Sequence, residues 1–227
     1  MNYLNLQKKS EKVGLESTAY RSILKLIMQN QIRPGDFILE TEFSKILKMS
    51  RTPVRQALGR LITEGILEKK RKKGCIIPIP TPEDARQIFH AREILESEIV
   101  KLATQNATKE DIKHLKNILN EEKKAFSSYN KEAYWLANEE FHFGIMKSSK
   151  NIYLENYCKN IFRKSSIYIL FFDSFYSGVN KSTVPPFQLS PGEHAGILRS
   201  IEDKDSKEAE KLIKKHIQYS LEVLVGI

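Results

Sequence analysis

The sequence predicts a mainly α protein in two parts: an N-terminal winged helix-turn-helix, α with a small β wing, and a C-terminal antiparallel all-α helical bundle. Three observations lead there. Two short helical patterns separated by three residues are followed, at residues 41–77, by a basic turn between apolar runs. The segment Pro78-Ile79-Pro80-Thr81-Pro82 excludes helix from a short, stiff connection. From Thr81 onward apolar residues recur at helical spacing almost throughout.

Taken in order, residues 1–15 form a polar, lysine-rich arm, and a helix from Ser17 to Asn30 turns Tyr20, Ile23, Leu24 and Ile27 inward. A short helix from Glu42 to Leu47 carries Phe43, Ile46 and Leu47, and Lys48-Met49-Ser50 is the turn. Thr52 as N-cap and Pro53 at the first helical position open the next helix. Its apolar stripe is Val54, Ala57, Leu58 and Leu61, and Gly65 stops it. Arg51, Thr52, Arg55 and Gln56 are left at the exposed N-terminal end, where arginine can meet guanine and phosphate in a major groove. Ile66-Leu67-Glu68, five basic residues from Lys69 to Lys73, Gly74 and Cys75-Ile76-Ile77 make the wing. Residues 16–78 are thus the DNA-binding domain, 79–82 the linker and 83–227 the second domain.

Charge agrees with that division. Residues 1–80 hold 16 Lys and Arg against seven Asp and Glu, whereas residues 81–227 hold 21 of each, so the net charge of +9 belongs to the first part. No apolar run approaches the roughly 18 residues that span a bilayer, and the N-terminus lacks the apolar core of a signal peptide. Cys75 and Cys158 are too few for a disulfide framework and read as reduced thiols in a cytoplasm.

The second domain reads as helices from Thr81 to Asn106 (burying Ile88, Ala91, Leu95, Ile99 and Leu102), Lys109 to Ser127 (Ile112, Leu115, Leu119), Lys131 to Ser148, and Ile152 to Phe172 (Tyr157, Ile161, Tyr168). Asp173 ends the last of these, a long loop reaches Ser190, and helices from Pro191 to Ile201 and Ser206 to Val225 close the chain. On helical wheels His142, His194 and His216 face the bundle interior, with Asn138 one turn before His142; His90 and His114 do not. A single inward imidazole is usually a satisfied core residue. Three with an inward amide need partners, and a divalent metal would satisfy several at once, zinc or nickel suiting such a set better than magnesium or calcium. Arg92, near the edge of its apolar stripe, either snorkels to solvent or clamps a ligand carboxylate.

Arg33-Pro34-Gly35-Asp36, Leu39, the string from Ser50 to Leu61, Glu64-Gly65 and the Gly74 wing resemble the DNA-binding domain of the GntR superfamily of bacterial transcription regulators, over Ala19 to Pro78. The resemblance implies DNA contacts by Arg51 and Arg55 from the recognition helix and by Lys73 and Gly74 from the wing tip. Gln56 stands where relatives often carry glutamate, and Thr41 where some carry a basic residue. From Glu83 to Leu224, Arg92 with Glu96, Asn138-Glu139-Glu140-Phe141-His142, Asn151, Glu193-His194, and Ala209 ahead of His216 resemble the FadR-like branch with its FCD ligand-binding domain. This implies a metal on Asn138, His142, His194 and His216, with Asn138 departing from the usual aspartate, and a small organic acid effector held near Arg92 and Asn151.

The expectation is a cytoplasmic, nucleoid-associated homodimeric repressor on an inverted-repeat operator, with double-stranded DNA and an organic acid as partners and no membrane contact. The alternative is a metal-dependent hydrolase fused to a DNA-binding domain. Glu139 and Glu140 lie off the His142 face, however, and no general base is evident beside the histidines, so no enzyme is expected.

Overall fold

The computed structural model describes residues 14–29, 31–70, 74–79, 81–175 and 190–225. Most of the arm, the wing-tip residue Lys73 and residues 176–189 of the expected loop lie outside the described residues. Two compact units divide the chain, residues 1–79 and 80–227.

The first unit runs α1 (Leu15–Met28), β1 (Phe37–Ile38), α2 (Glu40–Ile46), α3 (Arg51–Thr63), β2 (Glu68–Lys69) and β3 (Cys75–Ile76). The strands pair antiparallel in the order β1-β3-β2, with Phe37 and Glu68 both opposite Ile76. β1 is a third strand that two residues of sequence cannot announce. Helices α1 and α2 both pack on α3. Ala19, Tyr20, Ile23, Leu24 and Ile27 are buried with Val54, Ala57, Leu58 and Leu61, so both apolar stripes are confirmed. Tyr20 donates to Glu64, and Arg60 both pairs with Glu64 and lies over the Tyr20 ring, tying α1 to the end of α3.

Three sequence expectations change here. Helix α2 begins two residues early, at Glu40, and Ile46 is 57% exposed rather than inward. The N-cap of α3 is Ser50, not Thr52, so Pro53 occupies the third helical position. It is still among the first four residues, whose N–H groups have no partner within a helix, so the proline costs no hydrogen bond. Gly65 does end α3: at φ +73° its N–H donates to Ile62 O and that of Ile66 to Leu61 O, both at 3.0 Å, a Schellman closure.

Gly74 closes the wing, its carbonyl accepting from Lys70 N–H at 3.0 Å. Its φ is +81°, and a Cβ placed there would lie 2.5 Å from Ile38 O. Gly74→Ala is therefore expected to destabilise the first unit by about 1–3 kcal/mol through strain and the displaced strand. Denaturant melts of parent and variant check this; equal midpoints would contradict it.

The second unit is α4 (Pro82–Asn106), α5 (Lys109–Ser127), α6 (Lys131–Ser148), α7 (Ile152–Phe175), α8 (Ser190–Glu202) and α9 (Ser206–Val225). Thr81 caps α4 through Asp84 N–H, and Thr108 with Asp111 forms a capping box on α5. Helix α4 packs against α6, α7, α8 and α9, and α5 against α6 and α8. Phe89, Phe141 and Phe162 are fully buried in the core.

Here too the pattern needed correction. On α4, Ile88, Ala91, Leu95 and Leu102 are only half-buried, and the fully buried face carries Phe89, Arg92, Glu96, Val100 and Ala103. The same shift leaves Ile112 half-buried on α5 and Ile161 half-buried on α7. Tyr157 is 69% exposed, because Cys158, Phe162 and Ser165 occupy the inner face of α7. Asp173 does not end that helix, which continues to Phe175. No helix among the described residues is long and apolar enough to cross a membrane.

Candidate functional site

Three helices of the second unit bring His142 (α6), His194 (α8) and His216 (α9) together, each at most 4% exposed. Ring centroids are 5.2 Å apart for His142 and His194, 5.3 Å for His142 and His216, and 4.8 Å for His194 and His216. One nitrogen from each lies within 4.8 Å of the others. Phe141 stacks on His194, and Phe162 covers His142 at 4.6 Å.

Each Nδ1 faces a carboxylate on another helix. His142 meets Glu96 of α4 at 2.5 Å, His194 meets Glu122 of α5 at 2.8 and 3.0 Å, and His216 meets Glu193 of α8 at 2.8 Å. An ionised carboxylate accepting from Nδ1–H leaves the lone pair on Nε2, as at His142 beside Glu96. His194 Nε2 is buried and has no hydrogen-bond partner among the described residues.

Charge in this buried region is unevenly compensated. Burial pushes the Glu96 carboxyl up, but the Arg92 and His142 charges outweigh it and hold the group at about 2. Burial pushes His142 down to about 3, with Glu96 opposing, and drives His194 well below its ordinary value, with the His216 charge acting the same way. At Glu122 burial outweighs the opposing His216 and Lys123 charges and raises the carboxyl to about 8. A cation at the centre would favour the ionised form of Glu122 and take the lone pair of the orphaned His194 Nε2, so the residues present fit a bound cation.

Arg92 lies at the middle of the buried face of α4, 2% exposed, not at the edge of a stripe with its head in solvent. Its Nε donates to Glu96. Among the described residues its terminal nitrogens make long contacts, 3.4 Å to Ser165 Oγ and 3.4 Å to His142 Nε2, and the guanidinium stands 4.4 Å over the Phe162 ring. Such an arginine can still form shorter, charge-assisted bonds to an incoming carboxylate. Asn138 is half-buried one turn before His142. Asn151 caps α7, its Oδ1 accepting from Tyr153 and Leu154 N–H, which accounts for it structurally.

Sequence reasoning missed Glu122 and the part Glu96 plays behind His142. The signal for Glu122 was present: it continues the stripe Leu115, Ile118, Leu119 on α5, in register with buried residues.

On the first unit, Arg51, Thr52, Arg55 and Gln56 are all exposed on the opening turns of α3, and Gly74 is exposed at the wing. Arg55 is held by Glu40 of α2, a residue the sequence did not single out, through Nε at 2.7 Å and Nη2 at 2.9 Å.

Comparison with known proteins adds to this geometry. Residues 15–77 match the family model described as bacterial regulatory proteins, gntR family, and residues 87–219 match that of the FCD domain. The Nta operon transcriptional regulator of Aminobacter aminovorans is 30% identical over 195 residues, 86% of this chain and 87% of that protein. The Uxu operon regulator of Haemophilus influenzae is 28% identical, covering 94% of this chain and 84% of its own. Among solved structures, E. coli McbR/YncC shares the fold with a TM-score of 0.76 at 20% identity, over 93% of this chain and 97% of that one.

Proposed function

The chain belongs to the GntR family of bacterial regulatory proteins and carries an FCD domain, and from that premise we propose that it is a homodimeric repressor whose C-terminal bundle senses a small organic acid beside a divalent metal. It is a DNA-binding transcription regulator and not an enzyme, as its relatives are.

One observation carries the sensing: three buried imidazoles from three helices, each backed by a carboxyl group, with His194 Nε2 unpartnered among the described residues. His142, His194 and His216 would hold the metal, with Asn138 as a weaker fourth ligand, and zinc or nickel suits that set. When bound, the ion supplies positive charge and an open position for a carboxylate oxygen. Arg92 grips the same carboxylate with its terminal nitrogens while Glu96 fixes its Nε side, and Phe162 shields both from water. The acid changes DNA binding only so far as it binds the two states of the dimer unequally.

On DNA, α3 of each protomer enters a major groove with Arg51, Thr52, Arg55 and Gln56 at the base edges, and the Gly74 wing lies along the backbone. Two protomers require an inverted repeat with matched half-sites. The test pairs metal analysis of protein purified without an affinity tag with selection of bound duplexes from a random pool, with and without chelator. About one ion per chain and one enriched inverted repeat whose yield changes with chelator are expected. Metal-free protein with an unchanged selection would sink the sensing half of the proposal.

A further inference from the structure

A carboxylate on a surface built to meet phosphates opposes DNA binding, so Glu40 needs a reason to stand beside the recognition helix. It is the first residue of α2, and both its oxygens are engaged by Arg55, Oε2 with Nε at 2.7 Å and Oε1 with Nη2 at 2.9 Å. This is a bidentate pair along one edge of the guanidinium. The hydrogen bond from Arg55, and then the charges of Arg55 and Arg51, hold the Glu40 carboxyl below its ordinary range, so Glu40 is ionised when DNA arrives.

The pairing has two consequences. The Nε edge of Arg55 is occupied, while Nη1 and the second Nη2 hydrogen stay available, the pair that can fork onto guanine N7 and O6. The side chain is also ordered before binding, which lowers the entropy lost on contact. Meanwhile the Glu40 charge cancels much of the pull of Arg55 on phosphate.

We propose that Glu40 is a specificity-determining residue that holds Arg55 end-on toward base edges and weakens its attachment to duplexes offering only phosphate. The inference rests on the reading that α3 contacts the operator. Glu40 acts through Arg55 and is a positioning residue.

The experiment uses the full chain, titrated over a range of salt with the selected operator and with a scrambled duplex of equal length. Glu40→Gln should bind the scrambled duplex more tightly and lower the ratio of operator to scrambled affinity about tenfold, within what one bidentate base contact contributes. In an Arg55→Ala background the same substitution should leave that ratio unchanged, because Glu40 then has nothing to position. Should Glu40→Gln fold poorly, Glu40→Asp, too short to keep both contacts, should give an intermediate ratio. A Glu40→Gln ratio within about twofold of the parent, where Arg55→Ala has collapsed it, overturns the inference alone. Unaltered operator affinity in Arg55→Ala overturns the α3 reading as well.

Discussion

Replacing His142 by alanine is expected to weaken metal binding by at least about a hundredfold and to abolish the response of operator binding to the effector. Losing only the group behind a ligand costs about 10–100-fold in metal affinity, so losing the ligand itself costs more. The substitution also removes a ring packed at 4.6 Å from Phe162 and hydrogen-bonded to Glu96. A stability loss of about 2–4 kcal/mol in the second unit should accompany it. His216→Ala, on a different helix, should reproduce the metal loss. Competition against a chromophoric chelator gives the affinity and thermal melts give the stability. A core role alone predicts the stability loss with no metal to lose, which separates the two accounts.

Arg55→Ala should weaken operator binding by about 1–3 kcal/mol per half-site, and more nearly twice that for a dimer engaging both. Two effects add: the base contact disappears, and Glu40 is left as an uncompensated charge against the backbone. Folding should barely change, since the Arg55 side chain is 71% exposed and such surface pairs contribute little. Titration with the operator and with a scrambled duplex checks the claim. Equal operator affinities for parent and variant would show that α3 is not the reading helix.

Much of this fold could be read from the chain. The apolar stripes of α1 and α3, Gly65 as a helix stop, Thr81 at the start of α4 and the limits of α5, α6 and α9 all follow from local rules, and local rules govern these positions. The three inward histidines were legible for the same reason. The buried face of α4 was not, because Arg92 and Glu96 occupy its centre and a reader of apolar patterns assigns charged residues to solvent. Their burial is possible only because they satisfy one another and His142, a tertiary fact. Glu122 escaped for the same cause, and Glu40 because a pair fifteen residues apart in sequence depends on how α2 turns against α3.

The most direct measurement is the affinity of the full chain for its operator as purified, after stripping with chelator, and after zinc is restored, beside the same series on His142→Ala. The account predicts a change in affinity on stripping, recovery with zinc, and no change in the variant. Identical affinities in all three states of the parent would contradict it and return the three histidines to the core.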